Sequence, residues 1–144
     1  MKPLSVPTVA APAAAPRRVI LVDDHGPTLA AIVNLLDSEF PRIAVVGVAT
    51  DSESARRILR DSAPDVVVLD LDLGNDYGMD LIPMIVGEQG AAVVILTTSD
   101  DPGEKSAALR AGAAAFISKL APAEDLIAAI LAAPNGRRRI GGLS

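Results

Sequence analysis

Three aspartates in this chain, Asp23, Asp24 and Asp70, stand where apolar, β-branched runs end: "VILVDD" carries the first two and "PDVVVLD" the third. Thr97 closes "AAVVILT", and Lys119 follows "AAFIS". Carboxylates only a few Å apart repel by roughly a few kcal/mol per pair at an effective dielectric of about 20, so three gathered in one place call for a cation. Oxygen ligands without histidine or cysteine favour Mg2+ over zinc, and such an ion keeps waters or binds phosphate oxygens. A carboxylate beside Mg2+ can act as a nucleophile towards phosphorus, because the metal screens both negative charges. Thr97 then offers a hydrogen bond to a phosphoryl oxygen, and Lys119 neutralises another. In isolation each residue has a plainer reading. An acidic pair is usually a turn or helix cap, a lysine a surface residue, and a threonine a β-branched strand end. The chemistry therefore depends on the elements that position these groups.

Five strands are predicted: "RVILV" (18–22), "IAVVGV" (43–48), "DVVVLD" (65–70), "AAVVILT" (91–97) and "AAFIS" (114–118). Helices alternate with them. The first starts at Pro27 and aligns Leu29, Ile32, Val33, Leu36 and Phe40 on one stripe. The second opens on "TDSE", where Thr50 and Glu53 form a capping box. Pro83 lies inside "GMDLIPMIVG", so the third helix is expected to be short and to start near Asp80, with the proline in its first turn. The fourth opens on "DPGE", with Asp101 as cap, Pro102 at the first position, Glu104 reaching back and Gly112 as the stop. The fifth starts at Pro122 and puts Leu126, Ile127, Ile130 and Leu131 on one face.

Strands alternating with helices imply a doubly wound parallel sheet covered on both faces, with right-handed crossovers. A flavodoxin-like (βα)5 fold with strand order 2-1-3-4-5 suits this length. Ligands of such sheets bind beyond the carboxyl ends of the strands, at the switch point between strands 1 and 3. That rule puts Asp23, Asp24, Asp70, Thr97, Thr98, Ser99, Ser118 and Lys119 on one rim, while strand 2 contributes nothing of the kind.

The 144 residues suffice for one domain with a real core, and two Phe and one Tyr without Trp make that core aliphatic. The absence of cysteine excludes disulfides, thiolate metal sites and cysteine nucleophiles, and it fits a reducing compartment. A net charge of −5 argues against nucleic-acid binding by the domain itself, with Arg137, Arg138 and Arg139 as the one basic cluster, read as a solvated tail. No apolar run is long enough to span a membrane, and prolines break up the N-terminal segment too much for a signal peptide. The expected location is the cytoplasm. Residues 1–17 read as a disordered Ala/Pro-rich lead-in, 18–133 as the domain, and 134–144 as a tail or the start of a linker. His25, the only histidine, reads as a surface or capping residue.

In this order and spacing the motifs resemble the receiver domain of two-component response regulators, from about Arg18 to Ala133. "VILVDDH" looks like that family's first strand with its acidic pair, and "PDVVVLDLDLGNDYG" like the phosphoacceptor segment, with Gly78 eight positions after Asp70. "VVILTTS" carries the switch threonine Thr97, and "GAAAFISK" carries Lys119, with Phe116 at the aromatic switch position. "DDH" and the lack of proline after the lysine lean towards the LuxR/NarL-type subfamily. The resemblance implies that Asp24, Asp70 and the Asp72 backbone carbonyl bind Mg2+ directly and that Asp23 acts through water. It implies phosphoryl transfer to Asp70 from a sensor histidine kinase or phosphotransfer protein. Homodimerisation or effector contact on phosphorylation, with output in transcription regulation, is implied too. On this reading the domain is a signalling acceptor that catalyses only its own phosphotransfer and dephosphorylation.

Three residues depart from the family pattern. Gly74 replaces the usual proline four residues after the acceptor and loosens that loop. Leu120 replaces the proline that commonly follows the lysine, so a trans bond is expected there. Thr98 takes a usually smaller position. These departures sustain a second reading, a receiver-shaped binding module that works without phosphorylation. A third reading is a phosphatase resembling the haloacid dehalogenase superfamily, whose Asp-x-Asp motif "DLDLG" mimics. That motif normally sits on the first strand, and a further acidic pair should follow the lysine, where only Glu124-Asp125 stands at a helix start. The tail is too short for a helix-turn-helix domain, so the chain reads as a stand-alone receiver or a piece cut before an effector.

Overall fold

The computed structural model describes residues 15–134. The expectations for the lead-in up to residue 14 and for Arg137–Arg139 lie outside the described residues. The chain runs β1 (Arg17–Val22), α1 (Gly26–Asp37), β2 (Ile43–Ala49), α2 (Ser52–Ser62) and β3 (Val66–Leu69). A small hairpin of β4 (Asp72–Leu73) and β5 (Asp76–Tyr77) follows, then a 3-10 turn at Gly78–Leu81 and a π-helical turn at Met84–Glu88. The chain continues with β6 (Ala92–Thr97), α3 (Pro102–Ala111), β7 (Ala115–Ser118) and α4 (Ala123–Ala132). The five longer strands form one parallel sheet in the order β2-β1-β3-β6-β7. With the hairpin counted apart, this is the expected doubly wound flavodoxin-like order.

The strand pleat divides the core into two layers. Ile20, Val22, Val67, Leu69, Val93 and Ile95 face α2 and the two short turns, where Leu59, Leu81, Ile82 and Ile85 meet them. Val19, Leu21, Val66, Val68, Val94 and Leu96 face α1 and α4, against Leu29, Leu36, Leu126 and Ile130. Because both faces are covered, β3 and β6 read as unbroken apolar runs rather than alternating ones. Each fully buried Val, Leu or Ile contributes roughly 1.5–3 kcal/mol over exposure, so the sheet is a stiff mount for whatever its ends carry. Among the described residues, no helix is long and apolar enough to cross a membrane.

Several local expectations are corrected. Asp51, not Thr50, caps α2, because its carboxylate accepts the Ser54 N–H at 2.8 Å and the Ser54 hydroxyl at 2.7 Å. Phe40 leaves the apolar stripe and is 68% exposed, since α1 stops at Asp37 and residue 40 no longer follows the helical period. His25 caps α1 as expected of a surface or capping residue, its Nδ1 accepting the Thr28 N–H at 3.3 Å. The third helix dissolves into 3-10 and π turns around Pro83, whose missing N–H breaks the regular ladder. Gly112 ends α3 as expected, at φ 119°. β1 begins one residue early, at Arg17.

Candidate functional site

The last rungs of the sheet seat the polar residues. The Asp70 amide donates to Val22 O at 2.9 Å and so extends the β1–β3 ladder past the end of β3. Asp23 N–H donates to Ala49 O at 3.1 Å, and Lys119 N–H donates to Thr97 O at 2.9 Å. Backbone positions on three strand ends are thereby fixed before any side chain is considered.

The side chains converge there. Lys119 Nζ lies 2.7 Å from Asp23 Oδ2 and 2.8 Å from Asp70 Oδ2, one ammonium bridging two buried carboxylates. The other oxygen of Asp70 accepts the Asp72 N–H at 3.1 Å, and Asp23 Oδ1 accepts the His25 N–H at 2.9 Å. Asp24 is exposed, and one oxygen from each of Asp23, Asp24 and Asp70 lies within 4.8 Å of the others. Three hard oxygen donors with no nitrogen or sulfur among them fit Mg2+. Asp72 turns its carboxylate outward, where it accepts the Gly74 N–H at 3.2 Å.

Burial pushes the Asp70 carboxyl above its ordinary range, and the charge of Asp23 adds to the rise; the bonds from Lys119 and the Asp72 amide pull against it without prevailing. For Lys119, burial works to lower the pKa, but the hydrogen bonds and charges of Asp23 and Asp70 outweigh it and hold the ammonium above the ordinary lysine value. A cation is thus kept charged beside a carboxylate that burial makes harder to ionise.

Thr97 is buried, with its Oγ1 accepting the Ser99 N–H at 3.3 Å, whereas Thr98 is exposed. Phe116 is half-buried and registers against Ile95, two residues before Thr97, so it shares the Thr97 face of the sheet. The bond from Lys119 to Leu120 is trans, and Leu120 is 89% exposed.

Four residues with no part in the site expected from sequence belong to this rim. Gly74 sits at φ +73°, a conformation closed to proline, and a Cβ there would come 3.0 Å from Asp24 Oδ2. Its role is close approach to the acidic pair, not looseness alone. Asp76 Oδ2 accepts the Ser52 N–H at 3.1 Å. The Tyr77 hydroxyl donates to Glu104 Oε2 at 2.8 Å, so Glu104 does not reach back to its own helix start as expected. That acceptor carboxylate, with lesser help from burial and from Asp101 and Asp80, pushes the Tyr77 phenol up to about 12. A polar cavity of about 490 Å3 opens between these walls, bounded by Asp72, Tyr77, Thr97 and Glu104. The "GND" turn signal was visible in the sequence, but not the long-range partners it brings together.

Residues 19–131 match the family described as the response regulator receiver domain. The protein-glutamate methylesterase/protein-glutamine glutaminase of Rhizobium etli is 33% identical over 132 residues, 87% of this chain and 38% of that protein. The transcriptional regulatory protein DesR of Bacillus subtilis is 29% identical over 120 residues, 83% of this chain and 59% of DesR. The chain thus spans less than two thirds of the length of these curated relatives. The crystal structure of a LuxR-family two-component response regulator from Aurantimonas sp. SI85-9A1 superposes with a TM-score of 0.74 at 33% identity, covering 82% of this chain and 86% of that one.

Proposed function

The chain belongs to the response regulator receiver domain family, and from that premise we propose that Asp70 accepts a phosphoryl group from a histidine kinase. One observation carries the reading: Lys119 bridges Asp23 and Asp70 inside a trio of carboxylates at the sheet's switch point. A carboxylate oxygen of Asp70 attacks the phosphorus of a phosphohistidine on a sensor kinase or phosphotransfer protein. The P–N bond breaks, its electron pair stays on the imidazole, which takes up a proton, and an acyl phosphate forms. Lys119 stands ready to transfer its contact from the Asp70 carboxylate to a phosphoryl oxygen, and the Thr97 hydroxyl serves another. Asp24, Asp70 and the Asp72 carbonyl would hold Mg2+, with Asp23 acting through water. When bound, the metal supplies positive charge against both the acceptor and the incoming phosphoryl group.

The domain acts as a phosphoacceptor rather than an enzyme on outside substrates. Drawing Thr97 towards the phosphoryl group leaves space on the Phe116 side, and the surface of α3, β7 and α4 changes with it. That surface, or the face of α1 and α4 with its apolar cleft of about 430 Å3, carries homodimerisation or effector contact. Transcription regulation is the output favoured by the likeness to DesR and to the LuxR-family structure; the methylesterase relative shows that a receiver can also be joined to an enzyme.

Acetyl phosphate with Mg2+, followed by intact-mass measurement, tests the assignment. Wild-type protein is expected to gain one phosphoryl group, and Asp70→Asn protein none. A labelled Asp70→Asn variant would overturn the choice of acceptor, and an unlabelled wild type would favour the phosphorylation-independent module.

A further inference from the structure

The hairpin beside the acceptor is tied down on both flanks. β4 and β5 pair Asp72 with Tyr77 and Leu73 with Asp76. The residue whose carbonyl is assigned to the metal is therefore the direct ladder neighbour of Tyr77. On one flank Asp76 holds the Ser52 N–H, at the first residue of α2. On the other, Tyr77 donates to Glu104, 27 residues further on in the first turn of α3. At the tip, the Gly74 backbone lies against Asp24.

α3 is itself lightly held, since Ala108 is its one buried residue. A hydrogen bond from a phenol to a carboxylate is charge-assisted, and it counts for more on such a helix than on one anchored by a deep apolar stripe. Glu104 also sits in the first turn of α3, where the macrodipole favours a negative charge.

Given the metal and acceptor roles proposed above, we propose that Tyr77 and Glu104 form a clasp that couples the metal site to the start of α3. Metal held at the Asp72 carbonyl would shift the hairpin, and Tyr77 would transmit that shift to the helix through Glu104. Both are positioning residues, and the coupling is reciprocal: a displaced α3 alters metal affinity by the same factor.

The chain supplies its own reporter. Tyr77 is its one tyrosine and there is no tryptophan, so emission excited beyond the phenylalanine band reads this phenol alone. Mg2+ alone serves as the probe. Wild-type emission is expected to change saturably with Mg2+, and the change is expected to vanish in Glu104→Gln. Amide exchange gives the second readout. In metal-free protein, Tyr77→Phe and Glu104→Gln each speed exchange across residues 98–111 by about threefold to tenfold, and the double variant no further than either single. Mg2+ alters protection at residues 23–26, 70–74 and 98–111 in wild type, and the variants lose only the last of these responses. Variants that keep the full response at 98–111 would overturn the coupling and leave the metal site standing. A wild type that responds at the carboxylates and not at 98–111 would do the same. A wild type that responds nowhere would remove the metal reading and the coupling together.

Discussion

Asp70 is a costly place for a negative charge. Burial keeps its carboxyl above the ordinary range despite the Lys119 and Asp72 bonds. A folded-state value above the unfolded one means that the ionised form is penalised in the fold, so this term favours folding as pH falls through the folded value. Lys119 has the opposite sign: its raised value adds stability below the unfolded lysine pKa, and that is lost as pH climbs through the folded value. At neutral pH, Lys119 stabilises the fold and ionised Asp70 opposes it. Asp70→Asn keeps the shape, removes the charge and leaves Asp23 as partner for Lys119. In chelator at neutral pH it is expected to melt about 2 °C or more above wild type, with the gap closing as acid protonates Asp70. A variant melting below wild type would mean that the bond to Lys119 outweighs burial. The acidic pair, Asp70, Thr97 and Lys119 were legible because each follows an apolar run. Lys119 lying between Asp23 and Asp70 was not, because it depends on side-chain directions that no run encodes.

At the scale of elements, the five strands were legible because a sheet covered on both faces needs continuous apolar segments. β4 and β5 were not: two residues each are too few for a period of two to show, and their anchors at Ser52 and Glu104 are distant in sequence. Gly78, which follows the hairpin, was noticed for its spacing alone, and the fold supplies the reason. Its N–H donates to Leu71 O at 2.7 Å, and a Cβ there would clash with Asp70 O and come 3.0 Å from Leu71 Cα. Both obstacles are backbone, so no flexible side chain can yield. Gly78→Ala is expected to lose about 1–3 kcal/mol in urea unfolding and to weaken Mg2+ binding, because the displaced backbone belongs to Asp70, the proposed acceptor. Gly87 is the control, since a Cβ there meets nothing within 4 Å. Gly87→Ala is expected to fall within about 0.5 kcal/mol of wild type or above it. Equal losses at the two positions would show that the Gly78 effect does not come from crowding Asp70.

Across the whole molecule, the packing is uneven in a way that bears on signalling. α1 buries Leu29, Ile32 and Leu36, α2 buries Ala55 and Leu59, and α4 buries Leu126 and Ile130. α3 buries Ala108 alone, and β7, the edge strand beside it, is only partly buried along its length. Local opening is easiest where little apolar area is held down, so α3 and β7 form the low-stability side of a rigid sheet. The phosphoryl group proposed for Asp70 would sit between the two regimes: β1 and β3 are held on both faces, whereas Thr97 leads directly to the loosely held side. Amides of β1 and β3 are therefore expected to exchange only with global unfolding, and those of α3 through smaller openings. Beryllofluoride with Mg2+, a phosphoryl mimic, is expected to change exchange across residues 98–118 and to leave β1 and β3 as they were. If protein shown to have bound the mimic exchanges unchanged over residues 98–118, chemistry at Asp70 is not tied to this surface. The receiver-shaped binding module that works without phosphorylation would then be the better account of the fold.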